Sequence, residues 1–127
     1  METVFKLIGI MILFLAFRQV EEPVYTVVEK SAEPIGGMPA FYKAVSESLS
    51  FPKGNTCGVW KVFIKFIIET DGTTSNFKMM KDGTTECEKV WLEPFKKISK
   101  EILWHPGEIK GAPVRQRFVL PLEVKPG

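Results

Sequence analysis

The sequence predicts an α+β domain, and three observations carry the prediction. Residues 60–68 alternate apolar and polar with the period of a half-buried strand, and the Asp71-Gly72 pair then separates them from a second apolar alternation. Phe41, Val45 and Leu49, and again Trp91, Phe95, Ile98 and Ile102, place apolar side chains at helical spacing. A third alternation occupies residues 114–124. The expected arrangement is a three-stranded sheet, antiparallel or mixed, with two helices packed on one face. The strand of residues 60–68 takes the middle, because Phe63 and Ile67 make its second face partly apolar too. An N-terminal signal or membrane-anchor segment precedes the domain.

The run at residues 7–17 (LIGIMILFLAF) is unbroken apolar, with Lys6 before it and Arg18 after it. It has the length of a signal-peptide core. It approaches the roughly 20 residues of a spanning helix only if Val4, Phe5 and Val20 are counted and both basic side chains snorkel. Ala16 is followed by Phe17, Arg18 and Gln19, with no clean small-x-small cleavage site, so a cleaved signal and a retained anchor both stay open. A buried helix of the domain is disfavoured, because the run is apolar on every side. Residues 1–20 are assigned to the signal or anchor, 21–35 to a short tether with an extended piece at residues 24–28, and 36–127 to the domain. The rest of the chain is then placed outside the cytoplasm, anchored in a membrane through residues 4–20 or soluble after cleavage.

Gly36-Gly37-Met38-Pro39 opens the first helix, since Pro is well tolerated in a first helical turn, and the Phe51-Pro52 step and Gly54 close it. Asp71 and Gly72 as the central residues of a type I′ turn set Phe66 opposite Phe77, Ile64 opposite Met79 and Ile68 opposite Ser75. That register joins apolar residues to the core face of the first strand. Extended further, it brings Cys57 close to Cys87. In an exported chain the two form one disulfide, and two unpaired buried thiols are the alternative.

Thr85 with Glu88 three residues on is a capping box that starts the second helix, whose lysines gather toward its C-terminal end. Pro94 inside it predicts a kink at residues 90–94, or a helix that begins in earnest near Pro94. Trp104-His105-Pro106-Gly107 reads as a turn. In the last strand Pro121 cannot donate to a ladder, which places that strand at a sheet edge.

Composition narrows the function. Seventeen Lys and Arg are interleaved with fifteen Asp and Glu for a net charge of +2, so nucleic-acid binding has no electrostatic support. One His and two Cys leave too few side chains for a zinc site or a His-based triad. Neither an enzyme nor a cofactor or metal is expected. His105 reads as a turn residue, the three Trp as core anchors, and Glu86, Cys87 and Glu88 as a helix start rather than converging ligands. Lys61, Lys65, Lys78, Arg115 and Arg117 share the sheet face away from the helices. That face is a solvated surface or a site for an acidic partner segment or peptidoglycan.

The order of these elements, with AEPIGGMPAFYKAV, FPKGNTCGVWKVFIKFIIETDGT and ILWHPGEIKGAPVRQRFVLPLEV, resembles the C-terminal domain of the energy-transducing protein TonB over residues 33–124. The resemblance implies a periplasmic adaptor, held in the inner membrane, that grips a peptide segment of an outer-membrane transporter by strand addition and relays energy from a proton-driven motor complex. The implied grip is the last strand, with Arg115, Arg117, Val119, Pro121 and Glu123 on its outward-facing positions. Residues 18–33 span only about 50 Å fully extended, and the apolar segment carries no His or Ser. The gripping function therefore carries over better than the transducing one. The alternative is a stand-alone exported domain with a regulatory or competing role, uncoupled from any motor.

Overall fold

The computed structural model describes residues 22–49, 57, 61–80 and 85–123. The assigned signal or anchor at residues 1–20, Trp60, Val124 and the Thr85 side chain lie outside these. Among the described residues no helix is long and apolar enough to cross a membrane.

The fold is mixed α+β with two helices. Helix α1, Met38–Ser48, follows Gly36 and Gly37, whose φ angles of +97° and +91° reverse the chain, and Pro39 occupies its first turn. Phe41 and Val45 are buried, and Leu49 packs beside them. Three long strands form the sheet centre: β3 (Lys61–Ile68) lies between β4 (Thr74–Met80) and β7 (Ala112–Glu123), antiparallel to both. The even positions Val62, Ile64, Phe66 and Ile68 of β3 and Leu120 and Leu122 of β7 join Phe41, Val45, Trp91 and Phe95 in one buried cluster. Both helices therefore cover the same face.

The β3–β4 turn departs from the expected type I′ geometry. Gly72 has φ +85°, but Asp71 is not among the non-glycine residues with positive φ. Glu69 O accepts from Gly72 N at 3.0 Å and Glu69 N donates to Thr73 O at 2.8 Å, so the loop is one residue longer. The Asp71 carboxylate causes this by accepting from Thr73 N and Thr73 Oγ1 at 3.0 and 2.6 Å, which holds Asp71 in an Asx-turn. Ile68 consequently faces Thr74 and not Ser75, and Ile67 faces Ser75. Asn76, at φ +51°, absorbs the extra residue as a bulge. Beyond it Ile64 faces Met79 as expected, and the Phe66 and Phe77 rings stack at 5.7 Å.

Helix α2 comprises an α-turn at Thr85–Cys87, a π-helical turn at Glu88–Leu92 and an α-helix at Glu93–Ser99. The expected disturbance before Pro94 is this π turn. Glu93 N donates to Glu88 O five residues back, which widens the helix where Pro94 would otherwise crowd the preceding turn. Trp91 and Phe95 remain fully buried. Cys57 and Cys87 are disulfide-bonded, with Cα atoms 5.1 Å apart.

Two short pairings enlarge the expected three-stranded sheet, and a third forms a sheet of its own. Strand β1 (Val24–Tyr25) runs parallel to β7, with Val24 opposite Arg115 and Tyr25 opposite Gln116. Strand β6 (Gly107–Ile109) pairs with the start of β7 through a Lys110-Gly111 turn whose φ angles are +53° and +77°. Strand β2 (Glu33–Pro34) pairs with β5 (Trp104–His105) in a separate two-stranded sheet. His105, read as a turn residue, is thus paired opposite Glu33.

Residues 22–35, read as a tether, therefore lie against the domain. The buried side-chain amide of Gln116 holds them: its Oε1 accepts from Ala32 N at 2.7 Å and its Nε2 donates to Ser31 Oγ at 3.1 Å. Glu108 O accepts from Lys30 N at 3.0 Å, and Lys30 O accepts from Glu108 N at 2.8 Å.

Candidate functional site

Strand β7 is bonded on one side by β3, from Gln116 to Glu123. Among the described residues it otherwise meets β6, at Ala112 to Val114, and β1, at Arg115 and Gln116. From Arg117 to Glu123 no other described strand pairs with it, so this stretch presents an edge. Pro121 lies opposite Phe63 inside an uninterrupted ladder. A proline is accommodated there when its nitrogen faces away from the neighbouring strand, since no ladder donor is then lost. The two-residue period of a strand gives Arg117, Val119 and Glu123 the same orientation, with N–H groups toward the open side. The other outer edge, along β4, is broken by the Asn76 bulge, a feature that discourages strand pairing.

Beside the β7 edge lies a groove of about 550 Å³ between α1 and the end of the strand. Tyr42, Val45, Leu49, Pro121 and Leu122 supply an apolar lining, with Lys43, Ser46 and Glu123 polar. Partial burial raises the Tyr42 phenol above its ordinary value. An extended segment bonded to β7 would direct alternate side chains toward this groove and the others over the outer sheet face. The arrangement offers backbone pairing beside an apolar subsite.

Comparison with protein families, curated proteins and solved structures finds no match. The site accordingly rests on its own geometry.

That geometry divides the residues read from the sequence. Arg117, Val119, Pro121 and Glu123 are exposed together along the open edge. Arg115 stands apart from them. Its Nε donates to Glu69 Oε1, its Nη2 to Glu69 Oε2 at 3.3 Å, and its Nη1 to Glu22 O at 2.7 Å. It fastens the N-terminal segment to the sheet and is committed there. Gln116 and Glu69 went unrecognised in the sequence. Gln116 was visible as a polar residue on an otherwise apolar inward face, which demands a buried hydrogen-bond partner; Glu69 carried no comparable signal.

The hydrogen bonds from Arg115 hold the Glu69 carboxyl below the usual carboxylate range, with Ser75 adding a second donor against the opposing effect of burial. A carboxyl depressed in the folded state stabilises the fold above its unfolded value, and that contribution is lost as pH falls through the folded value. Glu69→Gln is therefore expected to cost about 1 kcal/mol at neutral pH, a figure already discounted for solvent screening at a partly exposed pair. Melting temperatures of the two proteins, roughly 5 °C apart at neutral pH, should converge as the pH falls through the lowered folded-state value of the Glu69 carboxyl. A constant gap at every pH would contradict the assignment.

Proposed function

We propose that this chain is an exported adaptor, similar to the C-terminal domain of TonB, that grips an extended peptide of an outer-membrane transporter by adding it as a strand to β7, in support of energy-dependent transport across the outer membrane. The observation that carries the reading is the open stretch of β7 from Arg117 to Glu123. An edge of this kind supplies affinity through backbone hydrogen bonds, and flanking side chains supply selectivity. Arg117, Val119 and Glu123 would sort partners on the outer face, and the Tyr42 and Leu49 groove on the inner one. The Cys57–Cys87 bridge suits an oxidising compartment such as the periplasm.

Val119→Pro tests the reading with a synthetic peptide spanning the periplasm-facing N-terminal segment of an outer-membrane transporter from the same cell. The substitution deletes one outward donor, so affinity should fall about 3- to 10-fold, while the melting temperature holds within a few degrees. Loss of folding would show that the Val119 N–H serves the β3 ladder. Unchanged affinity and stability would show that β7 is not the grip.

A further inference from the structure

The outer face of the sheet, opposite the helices, carries cations around an apolar centre. Register sets Met80, Phe63 and Pro121 in one row across β4, β3 and β7, and Lys78, Lys65 and Val119 in the next. Met80, Phe63 and Val119 are 43%, 39% and 43% exposed, although each is a large apolar side chain. Lys61 Nζ stands 5.6 Å from the Phe63 ring centroid, and Arg117 lies opposite Ile67 on the same face. Among the described residues Glu123 stands opposite Lys61 on this part of the face, and the neighbouring Glu69 carboxylate is taken up by Arg115. Lys65 and Lys78 face each other directly, an arrangement that disfavours the isolated fold.

The chain itself indicates what covers this face. Val24 pairs with Arg115 and Glu22 O accepts from Arg115 Nη1, so the N-terminal segment leaves the sheet beside β7. Only residues 18–21 separate Glu22 from the apolar run ending at Phe17, a reach of about 18 Å at most. If that run is retained in a bilayer, the sheet edge cannot stand further from the membrane than this.

We propose that the outer face, through Lys61, Lys65, Lys78 and Arg117 around Phe63, Met80 and Val119, docks on the anionic phospholipid surface of the membrane that the 7–17 run enters. Cationic side chains meet lipid phosphates while the apolar centre seats among the headgroups. A second copy of the chain on this face would set cation against cation. The inference rests on retention of the apolar run, and docking would occupy Arg117 and Val119, which the proposed peptide grip also uses.

The test uses the full chain reconstituted into vesicles of pure phosphatidylcholine or of phosphatidylcholine containing one-third phosphatidylglycerol. Hydroxyl-radical labelling is read by mass spectrometry. Labelling of Phe63 and Met80 should fall about threefold or more in the anionic vesicles, while Tyr42 and Leu103, exposed away from this face, keep theirs. Lys65→Glu and Lys78→Glu should each restore the labelling, and each should raise the melting temperature by relieving the cation pair, which separates lost docking from lost folding. Equal labelling of Phe63 and Met80 in the two vesicle types overturns the proposal. So does a chain that fails to float with the vesicles, or protection that appears only when soluble polyglutamate is added.

Discussion

Replacing Cys57 and Cys87 together by alanine is expected to lower the melting temperature by roughly 15 to 25 °C. The bridge joins residues separated by 30 positions, a loop whose closure is worth about 3 to 4 kcal/mol in the chain-entropy account. In a domain of this size each kcal/mol shifts the transition by about 4 to 8 °C. Cys87 is buried against the core cluster, so the bridge also fixes the start of α2, just ahead of the π turn and Trp91. Calorimetry of the double variant, and of the native protein under reductant, should agree. A shift of a few degrees in both would show that packing alone holds α2 in place.

Gly72→Ala is the second large expected effect. At φ +85° a side chain is strained on any account, and here the space is also taken. A Cβ on Gly72 would meet the Trp104 carbonyl oxygen at 2.3 Å, a backbone atom that cannot swing aside. Gly72 O also accepts from Trp104 N at 2.9 Å, so relieving the clash sacrifices that bond. Trp104 is buried in contact with Phe41, Phe66 and Phe118, with ring centroids 5.1 to 5.8 Å apart, and the damage reaches the core. The cost should be about 2 to 4 kcal/mol. Gly111→Ala provides the control: its φ is +77° but nothing lies within 4 Å, so only the backbone strain, about 1 kcal/mol, should appear. Equal losses at the two positions would contradict the role given to the Trp104 contact.

Periodicity made much of this fold legible. The Phe41/Val45 and Trp91/Phe95 stripes and the alternation of β3 and β7 describe faces that must be buried somewhere, and a single cluster buries them all. Pro94 announced its own disturbance, because a missing N–H leaves few helical solutions. Other features arise from contacts distant in sequence. Strands β1, β2, β5 and β6 are two or three residues long, too short for any period, and the N-terminal segment that carries β1 and β2 is held by Gln116, Arg115 and Glu108. The turn register was one residue off because the Asp71 carboxylate prefers Thr73, and the bulge at Asn76 restored the pairing further along. At the candidate site the edge position of β7 was foreshadowed by Pro121. The commitment of Arg115 to Glu69 and Glu22 depended on partners 46 and 93 residues away.

Strand addition at β7 makes a residue-by-residue claim about backbone amides, and hydrogen exchange followed by NMR reads it directly. With the transporter peptide bound, exchange at the amides of Arg117, Val119 and Glu123 should slow about 10-fold or more, while Phe118, Leu120 and Leu122, already bonded toward β3, change little. Binding that leaves the three odd-numbered amides exchanging at their free rates would contradict the account.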